Sequence, residues 1–291
     1  MVAKLDKQIV VIVGETASGK SEAAMQVAKK FNGEIITADS WTVYKGFDVG
    51  TAKPSQEDRQ AIAHHLIDVA DPKTGYSAAV FKRQASAAID DIRGRGKLPV
   101  VVGGTGLYVD SLVYSYSFLP PSGIDKRQEY NQMPLTALQK LVEDNGYDTD
   151  GIDLNNKRRL IRLLENEGKK PTSSPMRKDT IIFGIQVDRE SLRSKATSRV
   201  NKMFEDGLVE EVIKLSKLYG WDVEPMKGIG YRELREYLEG SIDIDETKQR
   251  IIKDTMDLAK KQRTWFGRNK SIHWVNNSDQ IVEILTTHLN K

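Results

Sequence analysis

The first apolar run of the chain is Ile9-Val10-Val11-Ile12-Val13, and it stops at a glycine. Similar runs follow at Glu34-Ile35-Ile36-Thr37-Ala38, at Leu98-Pro99-Val100-Val101-Val102 and at residues 180–187 (TIIFGIQV). Short runs of β-branched residues without polar alternation predict strands buried on both faces. His64-His65-Leu66-Ile67-Asp68-Val69 reads as a further, more polar strand. Between these runs the apolar residues recur at helical spacing, as in Ala78, Phe81, Ala85, Ala88, Ile89 and Ile92, with Ser77 as cap. The same reading predicts helices over 22–31, 55–63, 77–93, 135–143, 191–204, 208–219 and 245–266, and another opening at Gly228-Ile229-Gly230-Tyr231. Strands alternating with helices predict an α/β fold, a P-loop parallel sheet flanked by helices.

The pattern changes at Pro120-Pro121. From there to Lys178 the chain is polar and basic, with one clear amphipathic helix and a linker at Pro171 to Pro175. The expected organisation is a core over 1–119, a smaller, mostly helical insertion over 120–178, and a last core strand with C-terminal helices over 179–291.

The turn after the first strand carries the chemistry. Gly14-Glu15-Thr16-Ala17-Ser18-Gly19-Lys20-Ser21 has the spacing G-x-x-x-x-G-K-S between a strand and a helix. In such a loop Gly14 and Gly19 permit turns that a side chain would obstruct, so that successive backbone N–H groups point at one anion, and the helix N-terminus adds partial positive charge. Lys20 contributes a full charge, and the Ser21 hydroxyl suits Mg²⁺ beside the phosphates. A polyphosphate binder is expected.

Ligands of open α/β sheets sit at the carboxyl ends of strands, so Asp39 and Ser40 should face the same crevice. A turn or helix-cap carboxylate is the lesser alternative reading of Asp39. Trp41, Tyr44 and Phe47 in the following loop could stack on a ligand or fill local core. The Leu98–Val102 strand ends in Gly103-Gly104-Thr105-Gly106 rather than the Mg²⁺-holding Asp of many P-loop NTPases. Thr105 and bare backbone then line the crevice, leaving room for a large substrate.

Composition narrows the classes. With no cysteine in 291 residues, disulfides, thiolate zinc sites and thiol nucleophiles are excluded, and the spacing of the four histidines matches no metal site. No apolar run has the length of a membrane span, and the N-terminal MVAKLDKQ leads straight into the first strand, so a cytoplasmic protein without membrane association is expected. The net charge of +3 is too small to argue for nucleic acid by itself. Its distribution matters more: Lys157-Arg158-Arg159, Arg162 and Lys169-Lys170 concentrate positive charge in the middle of the chain, and Arg193, Lys195, Arg199 and Lys202 continue it. A solvated helix face is the commoner explanation of any single run.

Taken together, GETASGKS, ADSWTVYKGFDVGTAKP, HHLIDVADP with YSAAVF, VVVGGTGLY, NNKRRLIRLLE, GIGYRE and AKKQRTWF resemble, in collinear order over nearly the whole chain, the bacterial-type tRNA dimethylallyltransferases, also called tRNA isopentenyltransferases. The resemblance implies transfer of a dimethylallyl group from dimethylallyl diphosphate to N6 of adenosine 37 of tRNA, within an anticodon stem-loop carrying A36-A37. It implies that the P-loop holds the diphosphate leaving group; a monomer is expected, though not from the resemblance. By similarity Asp39 is the general base and Arg199 the catalytic arginine on the diphosphate. Thr16 and Ser40 contact substrates, Lys20 and Ser21 serve diphosphate and Mg²⁺, and Trp41, Thr42, Thr105, Arg158, Arg159 and Arg162 fall on tRNA-contacting positions. The chain departs from the family at Thr42, where glutamine is common, at Asn156, where aspartate is common, at Lys195, where arginine is usual, and in a shorter insertion. A P-loop small-molecule kinase using ATP is the alternative reading, and a non-catalytic RNA-binding module is a third.

Overall fold

The computed structural model describes residues 8–119 and 124–289. The N-terminal residues 1–7 and the Pro120-Pro121 boundary, both used in the sequence reading, lie outside them. Two compact units are present, one formed by residues 1–113 with 176–291 and the other by residues 114–175. The sequence reading places these divisions at 119/120 and 178/179.

In the first unit the chain runs through β1 (Ile9–Gly14), α1 (Lys20–Lys30), β2 (Gly33–Thr37), α2 (Gln56–Ala61), β3 (His64–His65), α3 (Ala78–Gly94), β4 (Leu98–Gly103) and α4 (Gly106–Val113). The second unit holds α5 (Ile124–Gln132), α6 (Leu135–Asp144) and α7 (Lys157–Glu165). The first unit resumes with β5 (Thr180–Ile185), α8 (Arg189–Glu205), α9 (Leu208–Tyr219), α10 (Arg232–Leu238), α11 (Ile244–Phe266), β6 (Ile272–Val275) and α12 (Ser278–Leu289).

The strands form one six-stranded sheet in the order β3-β2-β4-β1-β5-β6, every pair parallel. β1 lies between β4 and β5, with Val10 opposite Val100 and Ile181, and Ile12 opposite Val102 and Phe183. Val10, Ile12, Val100, Val102 and Phe183 pack beneath Ala23, Ala24, Val27 and Ala28 of α1 and Ile281 and Leu285 of α12. The alternate residues Ile9, Val11 and Val101 meet Ile89 of α3 and Val109 and Leu112 of α4 on the other face. Burial on both faces is why these strands carry unbroken apolar runs. It also places the β1–α1 turn at the carboxyl edge of the sheet, among its central strands.

A second core lies under the β2–α2 loop. Tyr44 and Phe47 are fully buried there with Leu208, Val212, Leu215, Tyr231 and Leu234. Two of the three loop aromatics are therefore core, and only Trp41 lines the cavity described below.

Several elements differ from the sequence expectation. β3 is two residues long, because Leu66 (φ 64°) and Asp68 (φ 57°) take left-handed backbone that no strand contains. The Gly228 region follows a 3₁₀ turn at Glu224–Lys227, and its helix, α10, opens only at Arg232, later than the glycine pattern suggests. β6, α4 and α12 have no counterpart in the sequence expectation, and in the insertion, expected to be mostly helical, α5 and α7 join the one helix given bounds there.

The second unit has its own core of Leu138, Val142, Leu160, Ile161, Leu163 and Leu164. Asn156 caps α7, its side chain accepting the Arg159 N–H at 3.3 Å. Asparagine and aspartate cap helices about equally well, so the asparagine at 156 preserves this end. The buried leucine and isoleucine face leaves Arg158 and Arg159 exposed, while Arg162 donates to the Leu119 carbonyl at 2.6 Å. Thr172, within the expected linker, forms an antiparallel bridge with Ser117.

Candidate active site

The β1–α1 turn folds as a phosphate-binding loop. Gly19 (φ 92°) caps α1 in a left-handed conformation that its missing side chain permits, and Ala17 (φ 62°) is also left-handed, a mild strain for alanine. A side chain at Gly14 would press on the Ser18 hydroxyl and the Ile185 carbonyl. The Ser18 Oγ is buried without a hydrogen-bond partner, an open polar group inside the loop.

A cavity of about 1010 Å³ opens beside this loop, lined among others by Thr16, Lys20, Ser21, Asp39, Trp41, Thr42 and Arg199. Residues from β1–α1, from the end of β2 and from α8, far apart in sequence, thus meet in one space. Lys20 donates to the Glu15 carbonyl at 2.9 Å. Burial pushes its ammonium down to about 8; Asp39 opposes this, Arg199 adds to it, and Glu15 opposes it. Burial likewise lowers Arg199, with Asp39 opposing. Arg199 reaches the Thr16 hydroxyl at 3.5 Å. Two crowded cations facing one carboxylate make a site short of negative charge, which an anionic ligand would supply.

Asp39 is not a helix cap. Its Oδ1 accepts the Trp41 N–H at 2.8 Å, closing a tight turn that brings the carboxylate into the cavity wall. Ser40 and Thr105 are joined: the Thr105 Oγ1 accepts the Ser40 N–H at 3.0 Å and donates to the Ser40 Oγ at 3.3 Å. The hydroxyls of Thr37 and Thr42 are buried without partners, and both residues line the cavity. Arg158, Arg159 and Arg162 lie in the second unit.

One part of the site lies in the AKKQRTWF segment, whose residues have no role that the sequence discloses. Gln262 of α11 accepts the Thr16 N–H at 2.7 Å and donates to the Gly104 carbonyl at 3.0 Å. Arg263 beside it pairs with Glu15, Nε to Oε1 at 2.8 Å. In the sequence these residues look like the basic end of a long helix. Only the fold brings them to the loop.

A sequence model described as IPP transferase matches residues 42–270. The chain belongs to the IPP transferase family. Among IPP transferase relatives, a tRNA dimethylallyltransferase of Acetivibrio thermocellus is 40% identical, covering 93% of this chain and 92% of its own. A full-length tRNA isopentenylpyrophosphate transferase from Bacillus halodurans is 34% identical with a TM-score of 0.75, covering 98% of this chain and 96% of its own. A eukaryotic dimethylallyltransferase solved acting on tRNA is 25% identical with a TM-score of 0.80, covering 97% of this chain and 79% of its own. The α/β fold expected from sequence agrees with these structures, as does the family resemblance.

Proposed function

We propose that this enzyme transfers a dimethylallyl group from dimethylallyl diphosphate to N6 of adenosine 37 in the anticodon stem-loop of tRNA, releasing diphosphate. The observation that carries the reading is the convergence of Lys20, Arg199 and Asp39 on one cavity beside a phosphate-binding loop. The family relationship supports the same reading, and the kinase alternative is not favoured: β4 ends in Gly103-Gly104, without the carboxylate many P-loop NTPases use.

Each residue has a role that its position suits. The adenine amino group is a weak nucleophile whose lone pair is delocalised into the ring, so a carboxylate must take its proton as the new C–N bond forms. Asp39 does this through Oδ2, while the Trp41 N–H holds Oδ1. As the allylic C–O bond breaks, negative charge grows on the diphosphate. Lys20, Arg199 and the loop amides stabilise it where it develops, and the Thr16 hydroxyl stands beside Arg199. The adenine must leave its stack to enter the cavity, which a single-stranded loop allows. Trp41 and Thr42 line its path; Thr105, expected on the crevice wall, is instead joined to Ser40 next to Asp39 and does not line the cavity. Arg158, Arg159 and Arg162 contact the RNA backbone, chiefly through phosphates.

A magnesium ion suits this donor set in one way. Ser21 opens α1 at the cavity edge, and no group of three or more histidines or carboxylates gathers among the described residues. The ion would be held by Ser21, diphosphate oxygens and water, the arrangement Mg²⁺ favours. When bound it supplies further neutralisation of the leaving group. The enzyme works as a cytoplasmic monomer in this reading; no helix among the described residues is long and apolar enough to cross a membrane.

The test is incorporation of label from dimethylallyl diphosphate into an anticodon stem-loop without ATP. Unlabelled RNA at high enzyme would contradict the proposal.

A further inference from the structure

Gln262 is nine-tenths buried in α11, and both ends of its amide are engaged. Its oxygen takes the Thr16 N–H of the phosphate-binding loop and its nitrogen serves the Gly104 carbonyl of the turn after β4. The two hydrogen bonds force the orientation of the amide, since an N–H must meet the oxygen and a carbonyl the NH₂. The Thr16 N–H is consequently withheld from the anion, and its residue is held with the hydroxyl toward Arg199. On the other side Gly104 precedes Thr105, whose hydroxyl holds Ser40, the neighbour of Asp39. A side chain at Gly104 would collide with the Gln262 amide.

The end of α11 is fixed in place by its neighbours. Arg263 pairs with Glu15, and the Trp265 indole lies over Gly106 while donating to Asp110 at 2.9 Å. A buried amide serving two functional loops across 158 and 246 residues of sequence is more than core filling.

We infer that Gln262 is a positioning residue: one planar amide sets the separation between the diphosphate side of the cavity, through Thr16, and the acceptor side, through Gly104, Thr105 and Ser40. The inference rests on the transfer reaction proposed above. A primary amide offers an acceptor and a donor together at every pH. Methionine keeps the volume and loses both bonds. Glutamate keeps the acceptor and regains the donor only when protonated.

The experiment is steady-state transfer by the full chain, using labelled dimethylallyl diphosphate and an anticodon stem-loop, with Gln262→Met and Gln262→Glu. Misplacement of reacting groups by a fraction of an ångström should lower kcat of Gln262→Met by about thirty- to a hundredfold, with both KM values within about threefold of wild type. For Gln262→Glu, kcat relative to wild type at the same pH should rise as pH falls from about 8.5 to about 6, as the buried carboxyl protonates and again donates to Gly104. That ratio decides the matter even if the methionine variant does not fold. A Gln262→Met kcat within about twofold of wild type, or a Gln262→Glu ratio flat in pH, overturns the inference while leaving the transfer reaction intact. No transfer by the wild-type protein overturns the reaction itself, and the inference with it.

Discussion

Tyr231 donates its phenolic hydroxyl to Glu211 at 2.7 Å, and the same carboxylate accepts the N–H groups of Asp48, Val49 and Gly50 at 2.9, 2.8 and 3.1 Å. One side chain of α9 thereby anchors the loop that forms a wall of the cavity, since residues 48–50 and Tyr231 all line it. Gly50 sits so close to the Tyr231 ring that no side chain fits. Removing the carboxylate leaves several donors unmet. Glu211→Ala should cost about 2–3 kcal/mol and Tyr231→Phe about 1 kcal/mol, read from urea midpoints. Equal stability of Glu211→Ala and wild type would show that the loop holds itself.

The Lys20 ammonium, pushed down to about 8, gives a pH signature. Below that value the ligand-free site carries the charge that attracts diphosphate; above it the charge is lost. Between about pH 7.5 and 9.5 the Kd for dimethylallyl diphosphate alone should rise roughly tenfold. Lys20→Met should bind weakly and flatten the dependence. Calorimetry at the two pH values checks both.

Glu34 predicts an acid limb in stability. It is buried at the start of β2, where Arg95 holds it through two hydrogen bonds, with Lys97 and His65 each at 2.8 Å. The Arg95 hydrogen bonds, with those from Lys97 and His65, hold its carboxyl far below the usual carboxylate range against the cost of burial. The folded value is depressed, so its contribution is complete above the unfolded value and is lost as pH falls from there toward the folded one. Glu34→Gln should lower stability at pH 7 by about 2 kcal/mol and shrink the loss on acidification. Urea titrations at neutral and acid pH measure both effects; an unchanged acid limb would remove Glu34 as its source.

In the second unit, the exposed Arg159 should carry more of the RNA binding than Arg162, whose guanidinium is committed to the Leu119 carbonyl. Removing one arginine that meets a phosphate should reduce the salt slope of RNA affinity by roughly one. Arg159→Ala should therefore flatten the slope by about one, and Arg162→Ala by less. Filter binding over a salt series decides the order.

Sequence discloses what is local. β1, β2, β4 and β5 announce themselves because a parallel strand covered on both faces must be apolar throughout. The phosphate-binding loop is equally plain, its residues being contiguous. β6 escapes notice because Ile272-His273-Trp274-Val275 is a short edge strand whose two central residues are exposed. Leu66 and Asp68 look like strand residues, yet Asp68 turns back to pair with Lys53 and Arg59, and that tertiary pairing overrides the apolar pattern. Gln262 falls within the AKKQRTWF segment, but its role is illegible for a different reason. Its partners are a backbone N–H and a backbone carbonyl, which leave no mark in the side-chain pattern. Tyr44 and Phe47 leave two readings open until α9 and α10 are seen to cover them.

The reaction's central claim is that Asp39 takes the proton from the attacking amino group. Asp39→Asn keeps the volume and the Trp41 hydrogen bond but cannot accept that proton, so single-turnover transfer to an anticodon stem-loop should fall by at least about a hundredfold while RNA affinity holds. A transfer rate for Asp39→Asn within a few-fold of wild type would contradict the account.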